Sequence, residues 1–435
     1  MKKRVISMIC VIALLLSMTT LSIFSYAAEA PLWIDKDPAK NVDYSFAVVG
    51  DIQTITYKDT HSGTRYVSNL FKWLILNQKS RRISYVFGLG DTVETLTSYP
   101  ESYNPSVNNP REWELASAQI SMLNGIIPYS VVRGNHDDEG GYHKNICTDF
   151  YVSQMDGFYY DPGQPATAGN SMSNSYRKID ICGHKYLMIT LDYNITEGVK
   201  DWVNDIISSN PDYHVIVSIH AYLHNSGRIY NGAIGQASAD PTVQENIVFN
   251  GQALWDDVFS QHKNMFMVLC GHASTPAPNI STKTGVNGNE VLQILVDPQS
   301  EDEIDPTGMV LMINVKEGGA KLEFEYLSTS RQKTPYRGEA NQFTIDTPGN
   351  PLPYVSVEPQ PEITKKTTVT AKETEATTAA PRTTKEKAEI PLKTTEEYAA
   401  QSGVTCSGAI TSTLSVACVI GATLSVFAMR KKRDD

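Results

Sequence analysis

Polar side chains of metal-binding types follow five apolar runs of strand length in this chain. The clusters are Gly50-Asp51-Ile52-Gln53, Gly90-Asp91, Gly134-Asn135-His136-Asp137, Ile219-His220 and Cys270-Gly271-His272. Aspartate, asparagine and neutral histidine together suit Mn, Fe or Zn ions. A cation held by such residues can polarise a phosphoryl oxygen and lower the pKa of water toward neutrality. These residue types therefore favour the hydrolysis of phosphate esters.

The apolar runs predict the sheet that must position these clusters. Runs at 44–49, 83–89 and 127–132 alternate with helical stretches near 66–77 and 112–123, which is the order of a parallel α/β sheet. Ligands bind beyond the carboxyl ends of the strands in such sheets, so we expect the clusters to converge on one edge. Later runs predict a hairpin and five further strands, at 177–191, 214–219, 265–269, 291–296, 309–315 and 322–326.

Each cluster taken alone has an ordinary structural explanation. An aspartate at a strand end commonly caps a helix or forms a turn, and a single histidine is most often structural. Five clusters in succession favour a shared metal site instead.

The ordered motifs resemble those of the calcineurin-like metallophosphoesterases, in which Asp-x-His, Gly-Asp, Gly-Asn-His-Asp/Glu, a lone His and Gly-His-x-His follow one another. The match covers about residues 43–330, and Gly-Asn-His-Asp at 134–137 is its most specific part. The resemblance implies an α/β fold of four layers, a sandwich of two mixed sheets flanked by helices. It also implies a metal-dependent phosphatase or phosphodiesterase.

The resemblance also implies which residues hold the metal ions and move the proton. Asp91 would bridge two ions, and Asn135, His220 and His272 would complete the tighter of the two. His136 would donate a proton to the leaving oxygen or bind the phosphate. The remaining residue of that motif, Asp137, would orient the His136 ring, because a carboxylate often fixes the tautomer of an imidazole.

The half of the site for the second ion departs twice from the family pattern. Gln53 replaces the histidine of Asp-x-His, and Ser274 stands where the second histidine of Gly-His-x-His belongs. Asp51 and the shared Asp91 remain as strong ligands, whereas an amide carbonyl binds transition ions more weakly than imidazole. We therefore expect the second ion to be weaker, unless Gln299 fills the open position. Some secreted bacterial members of the family are similar in carrying Asp-x-Gln.

The two ends of the chain predict attachment to a cell surface. Lys2-Lys3-Arg4, an apolar run to about Ile23 and small residues at 25–28 are typical of a signal peptide, which we assign to residues 1–28. Residues 407–429 carry no charge and are long enough to cross a bilayer, and the basic tail 430–435 would stay cytoplasmic. A retained N-terminal anchor and a C-terminal cell-wall sorting tail are the alternatives.

Between these ends the sequence predicts one folded unit and a stalk. Residues 351–406 are rich in Thr, Lys, Glu and Pro and hold too few apolar side chains to offset the entropy of folding. The folded metallophosphoesterase-type domain is then residues 31–350. Of the six cysteines, Cys147 and Cys182 leave open a disulfide bridge within it.

Charge narrows the possible partners. The chain has 48 acidic and 37 basic residues and a net charge of -11, so we expect no specific nucleic acid. The partner that the motifs and the resemblance imply is a phosphate-ester substrate. The alternative function is a non-catalytic surface binding ectodomain with a degenerate metal site, which Gln53 and Ser274 support. His136 and Asp137 favour catalysis, because a purely structural site needs no proton donor.

Overall fold

The computed structural model describes residues 41–94, 110–160, 172–193, 195–231, 251–300, 308–330 and 342–348. The signal peptide, stalk, membrane-spanning segment and basic tail predicted from the sequence lie outside these residues. No helix within the described ranges has the length and apolar character needed to cross a membrane.

The first sheet contains the early strands that precede the polar clusters. Its strands are β1 Tyr44–Val49, β2 Ile83–Gly88, β3 Tyr129–Val131, β11 Met309–Lys316, β12 Lys321–Ser328 and β13 Gln342–Asp346. They lie in the order β13-β12-β11-β1-β2-β3. β1, β2 and β3 are parallel, whereas β11, β12 and β13 join as antiparallel neighbours. The sheet is therefore mixed.

The second sheet is also mixed and is built around four parallel strands. Its strands are β4 Gly157–Phe158, β5 Ser175–Ile181, β6 His184–Leu191, β7 His214–Ile219, β8 Met265–Cys270, β9 Asn279–Thr284 and β10 Glu290–Leu295. They lie in the order β4-β5-β6-β7-β8-β10-β9. β6, β7, β8 and β10 are parallel, and the hairpin of β5 and β6 confirms the sequence prediction.

Helices cover the outer faces of both sheets. Those packed on the first sheet are α1 Gln53–Ser62, α2 Tyr66–Asn77, α3 Pro110–Ile120, α4 Glu139–Asn145 and α5 Asp149–Ser153. Those packed on the second sheet are α6 Glu197–Ser208 and α7 Gly251–Asp257. Single 3₁₀ turns follow two of the helices, at Ser121–Leu123 and Phe259–Gln261.

The alternation of side chains along β1 shows how the layers are held together. Tyr44, Phe46 and Val48 point to the second sheet, and Ala47 and Val49 point to the helices. A strand buried on both faces is typically a nearly continuous apolar run, here interrupted only by Ser45, which is why this strand was evident from the sequence. The result is helix, sheet, sheet, helix, which confirms the predicted fold of four layers.

Two local features were not predicted from the sequence. The helix α6 is one of them, although Thr196 caps its first turn and Val199, Val203 and Ile207 repeat every four residues on its buried face. Cys147 is a free thiol, so the disulfide left open by the sequence is absent.

Candidate metal centre

The site lies where the carboxyl ends of central strands from both sheets meet. The five side chains, each within four residues of its strand's end, are Asp51 after β1, Asp91 after β2, Asn135 after β3, His220 after β7 and His272 after β8. The sequence predicted a single sheet edge. The first three residues instead belong to one sheet and the two histidines to the other, because the sheets pack face to face.

Four of these side chains bring their donor atoms together. The Oδ1 atom of Asn135 lies 3.0 Å from His220 Nε2 and 2.8 Å from His272 Nδ1. His220 Nε2 lies 3.2 Å from Asp91 Oδ2. Ligands about 2 Å from a shared ion are about 3 Å apart, so these distances suit one cation. Asp91, His220 and His272 form a group able to hold a metal ion.

The hydrogen bond on the far side of the His220 ring determines its tautomer. Nδ1 lies 2.8 Å from the carbonyl oxygen of Leu89, which can only accept, so Nδ1 carries the proton. Nε2 then presents its lone pair toward Asn135 and Asp91, as a metal ligand must. Burial, together with the imidazole of His220, lowers the pKa of His272 to about 3, which favours the neutral form of the His272 ring.

The backbone at two of these positions is strained. Asp91 has φ 44° and His272 has φ 71°, in the left-handed region that residues other than glycine rarely adopt. Such conformations cost about 1–3 kcal/mol each and persist where the surrounding structure enforces them. Gly134 contributes to this enforcement, because a Cβ there would collide with the Asp91 carboxylate. The fold therefore places both side chains at the expense of local backbone energy.

Buried carboxylates of like charge crowd the site. Burial raises the pKa of Asp51 well above its usual value, and repulsion from Asp297 and Asp91 adds to the effect. Burial and the charge of Asp91 also raise the pKa of both Asp137 and Asp297 to about 7. Burial disfavours the charged form of Asp91 too, but the imidazoles of His220 and His136 lower its pKa overall. A bound cation would relieve this repulsion.

Gln53 has the environment of a ligand, whereas Ser274 does not. The Gln53 side chain is 0% exposed, and neither of its amide atoms has a hydrogen-bond partner within the described part of the chain. An unpaired buried amide costs about 1–3 kcal/mol, which coordination of its oxygen would offset. Ser274 Oγ instead bonds to Ser300 Oγ at 2.6 Å and accepts the Ser300 N–H.

His136 lies beside the bridging position, but Asp137 does not orient its ring as the sequence predicted. The His136 N–H donates to Asp91 Oδ1 at 2.8 Å, and its Nδ1 lies 3.1 Å from the Glu94 carbonyl oxygen. The Asp137 carboxylate accepts the backbone N–H groups of Thr92, Val93 and Gly134. It therefore joins the Gly-Asp loop to the Gly-Asn-His-Asp loop.

We expect Asp137→Ala to lower the free energy of unfolding by about 3 kcal/mol, because it leaves buried N–H groups unpaired. Urea unfolding monitored by circular dichroism measures this. Thr196→Ala is the control: it removes only the cap of α6 and should cost about 1 kcal/mol. Unchanged stability with reduced turnover for Asp137→Ala would restore the ring-orienting role.

From the sequence, Gln299 was the possible substitute ligand for the second ion. The buried side chain beside the site is instead Asp297. Asp297 is 0% exposed and interacts electrostatically with Asp51 and Asp91, whereas Gln299 is only partly buried. The sequence feature that could have identified Asp297 as a candidate is its position just beyond β10, which matches the position of His272 beyond β8.

Comparison with known proteins gives two matches. A model of the family described as calcineurin-like phosphoesterase matches residues 44–276. The chain is also similar to the uncharacterized protein YvnB of Bacillus subtilis (strain 168), at 25% identity over 337 residues. That alignment covers 75% of this chain but 23% of the relative, so this chain spans less than a quarter of the relative's length. The family match includes all five motif clusters and ends before Asp297.

Proposed function

The chain belongs to the calcineurin-like phosphoesterase family, and from that premise we propose that it hydrolyses phosphate mono- or diesters at the cell surface. The observation that carries the proposal is the meeting of Asp91, Asn135, His220 and His272 at distances suited to one cation. Mn, Fe or Zn suits this set of donors. When bound, such an ion polarises the phosphoryl oxygen and makes water a stronger nucleophile.

His136 is the residue that we assign to the proton transfer. Its Nδ1 faces the Glu94 carbonyl oxygen and so carries one proton. The proton given to the leaving oxygen of the ester is the second one, which Nε2 holds when the ring is charged. Burial opposes a charge on this ring, but Asp91 and Glu94 override it and raise the pKa above its ordinary value. The ring is thereby suited to give a proton to the leaving group near neutral pH.

An assay with generic substrates tests the proposal. The protein is stripped with a chelator, supplied in turn with Mn, Zn, Fe, Mg or Ca ions, and given an aryl phosphate monoester or diester. We expect metal-dependent release of the aryl alcohol with at least one transition ion. Metal binding with no hydrolysis of either ester would favour the alternative, a non-catalytic binding ectodomain.

The domain boundary predicts that residues 31–350 suffice for this activity. The last described strand, β13, ends at Asp346, and the buried side chains extend from Val42 to Thr329. We expect a chain ending at residue 350 to match the full chain in thermal midpoint and in kcat/KM. Loss of folding without residues 351–435 would show that the domain boundary is misplaced.

The proposed location rests on the sequence of the two ends. Residues 1–28 have the composition of a signal peptide, and the uncharged run 407–429 precedes the basic tail 430–435. Brief proteolysis of intact cells measures this location. Release of an active fragment of about the size of residues 31–350 supports a surface enzyme held by a single membrane span, and protection of the enzyme in intact cells contradicts it.

A further inference from the structure

The position of Asp297 in the second sheet mirrors that of His272. β10 runs parallel to β8, with Leu295 opposite Cys270. Asp297 follows Leu295 by two residues, and His272 follows Cys270 by two residues. Adjacent parallel strands bring such residues to the same edge of the sheet. Asp297 is thus placed at the same edge as His272, one strand further from His220.

Close contacts hold the turn that contains Asp297 against the two motifs that differ from the family pattern, those of Gln53 and Ser274. The Thr275 N–H donates to the Asp297 carbonyl oxygen at 2.9 Å, which joins the turn to the residue after Ser274. A Cβ on Gly50 would meet Pro298 Cδ at 2.8 Å, so the same turn packs closely against the residue before Asp51. The carboxylate is therefore supported from both sides.

One oxygen of this carboxylate is used by the protein and the other is not. Asp297 Oδ1 accepts the Gln299 N–H at 2.9 Å. Oδ2 is buried, and no hydrogen-bond partner for it occurs among the described residues. Asp297 also interacts electrostatically with Asp51 and Asp91, so the three carboxylates belong to one neighbourhood. Asp297 therefore offers that neighbourhood a buried oxygen that no donor of the described residues occupies.

We propose that Asp297 is a ligand of the second cation and that it forms an all-oxygen subsite with Asp51, Gln53 and the shared Asp91. This inference rests on the proposed function, since it concerns the same centre. Three carboxylates and a carbonyl are the ligands of hard cations such as Mg²⁺, Ca²⁺ and Mn²⁺. The subsite with two imidazoles prefers Zn²⁺ or Fe ions instead.

The absence of histidine at positions 53 and 274 then changes the kind of ion that the second subsite binds. The sequence predicted a second subsite that was only weaker, because it counted two carboxylates and an amide. A third buried carboxylate adds charge without adding a nitrogen donor, so the subsite becomes selective for a hard cation. Ser274 plays no part, because its hydroxyl is bonded to Ser300. The centre is therefore built for two different ions.

Metal binding by the full-length protein tests this directly. The protein is stripped, loaded with one equivalent of Zn²⁺ and titrated with Mn²⁺, whose free form is counted by electron paramagnetic resonance. We expect one Mn²⁺ to bind to the wild type. Asp297→Asn should weaken that binding at least tenfold, since losing even a supporting partner of a ligand costs about 10–100-fold. Retention of Zn²⁺ should be unchanged.

Two control variants and one competition complete the test. Ser274→Ala and Gln299→Ala should bind Mn²⁺ as the wild type does. Wild-type affinity in Asp297→Asn, or an equal loss in Gln299→Ala, would overturn the assignment. Asparagine can still accept the Gln299 N–H, and the thermal midpoint of the stripped variant verifies its folding. In the wild type itself, failure of a large excess of Ca²⁺ or Mg²⁺ to displace the Mn²⁺ would also contradict an all-oxygen subsite.

These readouts separate the inference from the proposed function because no substrate is present. A protein that binds Zn²⁺ and Mn²⁺ as expected but hydrolyses no ester retains the inference and loses the function. A protein that hydrolyses esters while Asp297→Asn keeps its Mn²⁺ retains the function and loses the inference.

Discussion

Asp91→Asn should lower kcat/KM for an aryl phosphate ester by about 10³-fold, because stabilisation of transition-state charge by a metal ion amounts to several kcal/mol. The Asp91 carboxylate is placed to serve both subsites: Oδ2 lies beside His220, and its charge acts on Asp51 and Asp297. Asparagine keeps the shape and can still accept the His136 N–H, so the fold should persist. The expected loss is of function, with little loss of structure.

Steady-state kinetics with saturating metal, together with the thermal midpoint, measures this prediction. Asp256→Asn makes the same chemical change on the exposed surface of α7 and should leave both quantities unchanged. Turnover near that of the wild type in Asp91→Asn would remove the basis for the proposed metal centre.

The second large effect is expected for His136→Ala, which should reduce kcat roughly 10²- to 10⁴-fold, as removal of a general acid does. The His136 side chain is assigned to proton transfer, and its backbone N–H, which the variant keeps, is what contacts Asp91. The metal content after dialysis should therefore stay at the wild-type level. Atomic emission of the dialysed protein, beside its kinetics, measures the two quantities separately.

The leaving group supplies a further readout for the same variant. A leaving group whose conjugate acid is strong departs without receiving a proton. His136→Ala should therefore lose less activity on an ester of that kind than on one with a poor leaving group. His61→Ala, on the exposed end of α1, is the matched control. Equal losses of metal and activity would instead make His136 a ligand.

Much of the fold was evident from the sequence because its central strands are buried on both faces. β8 is wholly apolar, β1 and β7 are mostly apolar, and every residue of the three strands is buried. Strands with mixed exposure, such as β9 and β13, lack that signal and were not predicted. Assignment of each strand to a sheet was also beyond the sequence, since pairing joins distant segments such as β1 and β11.

The residues of the candidate site divide in the same way. The order of the motifs was enough to predict that Asp91, Asn135, His220 and His272 would meet, because each lies within four residues of a strand's carboxyl end. Only the tertiary structure shows that these strands belong to two sheets packed face to face. The contacts of Asp137 depend instead on a loop 45 residues away, as its bond from Thr92 shows. No pattern of neighbouring residues predicts a contact over that separation in the sequence.

The sequence by itself thus determined the order of strands, the set of metal-binding residue types and the two departures from the family pattern. Only the tertiary structure decided which of the polar groups remain without hydrogen bonds once they are buried. Asp137 accepts three backbone N–H groups, which gives it a structural role. Asp297 Oδ2 has no partner among the described residues, which is why we propose Asp297 as a ligand of the second cation. The physical reason is that desolvation and charge repulsion act between neighbours in space, and the pairing of β8 with β10 created the neighbourhood of Asp297.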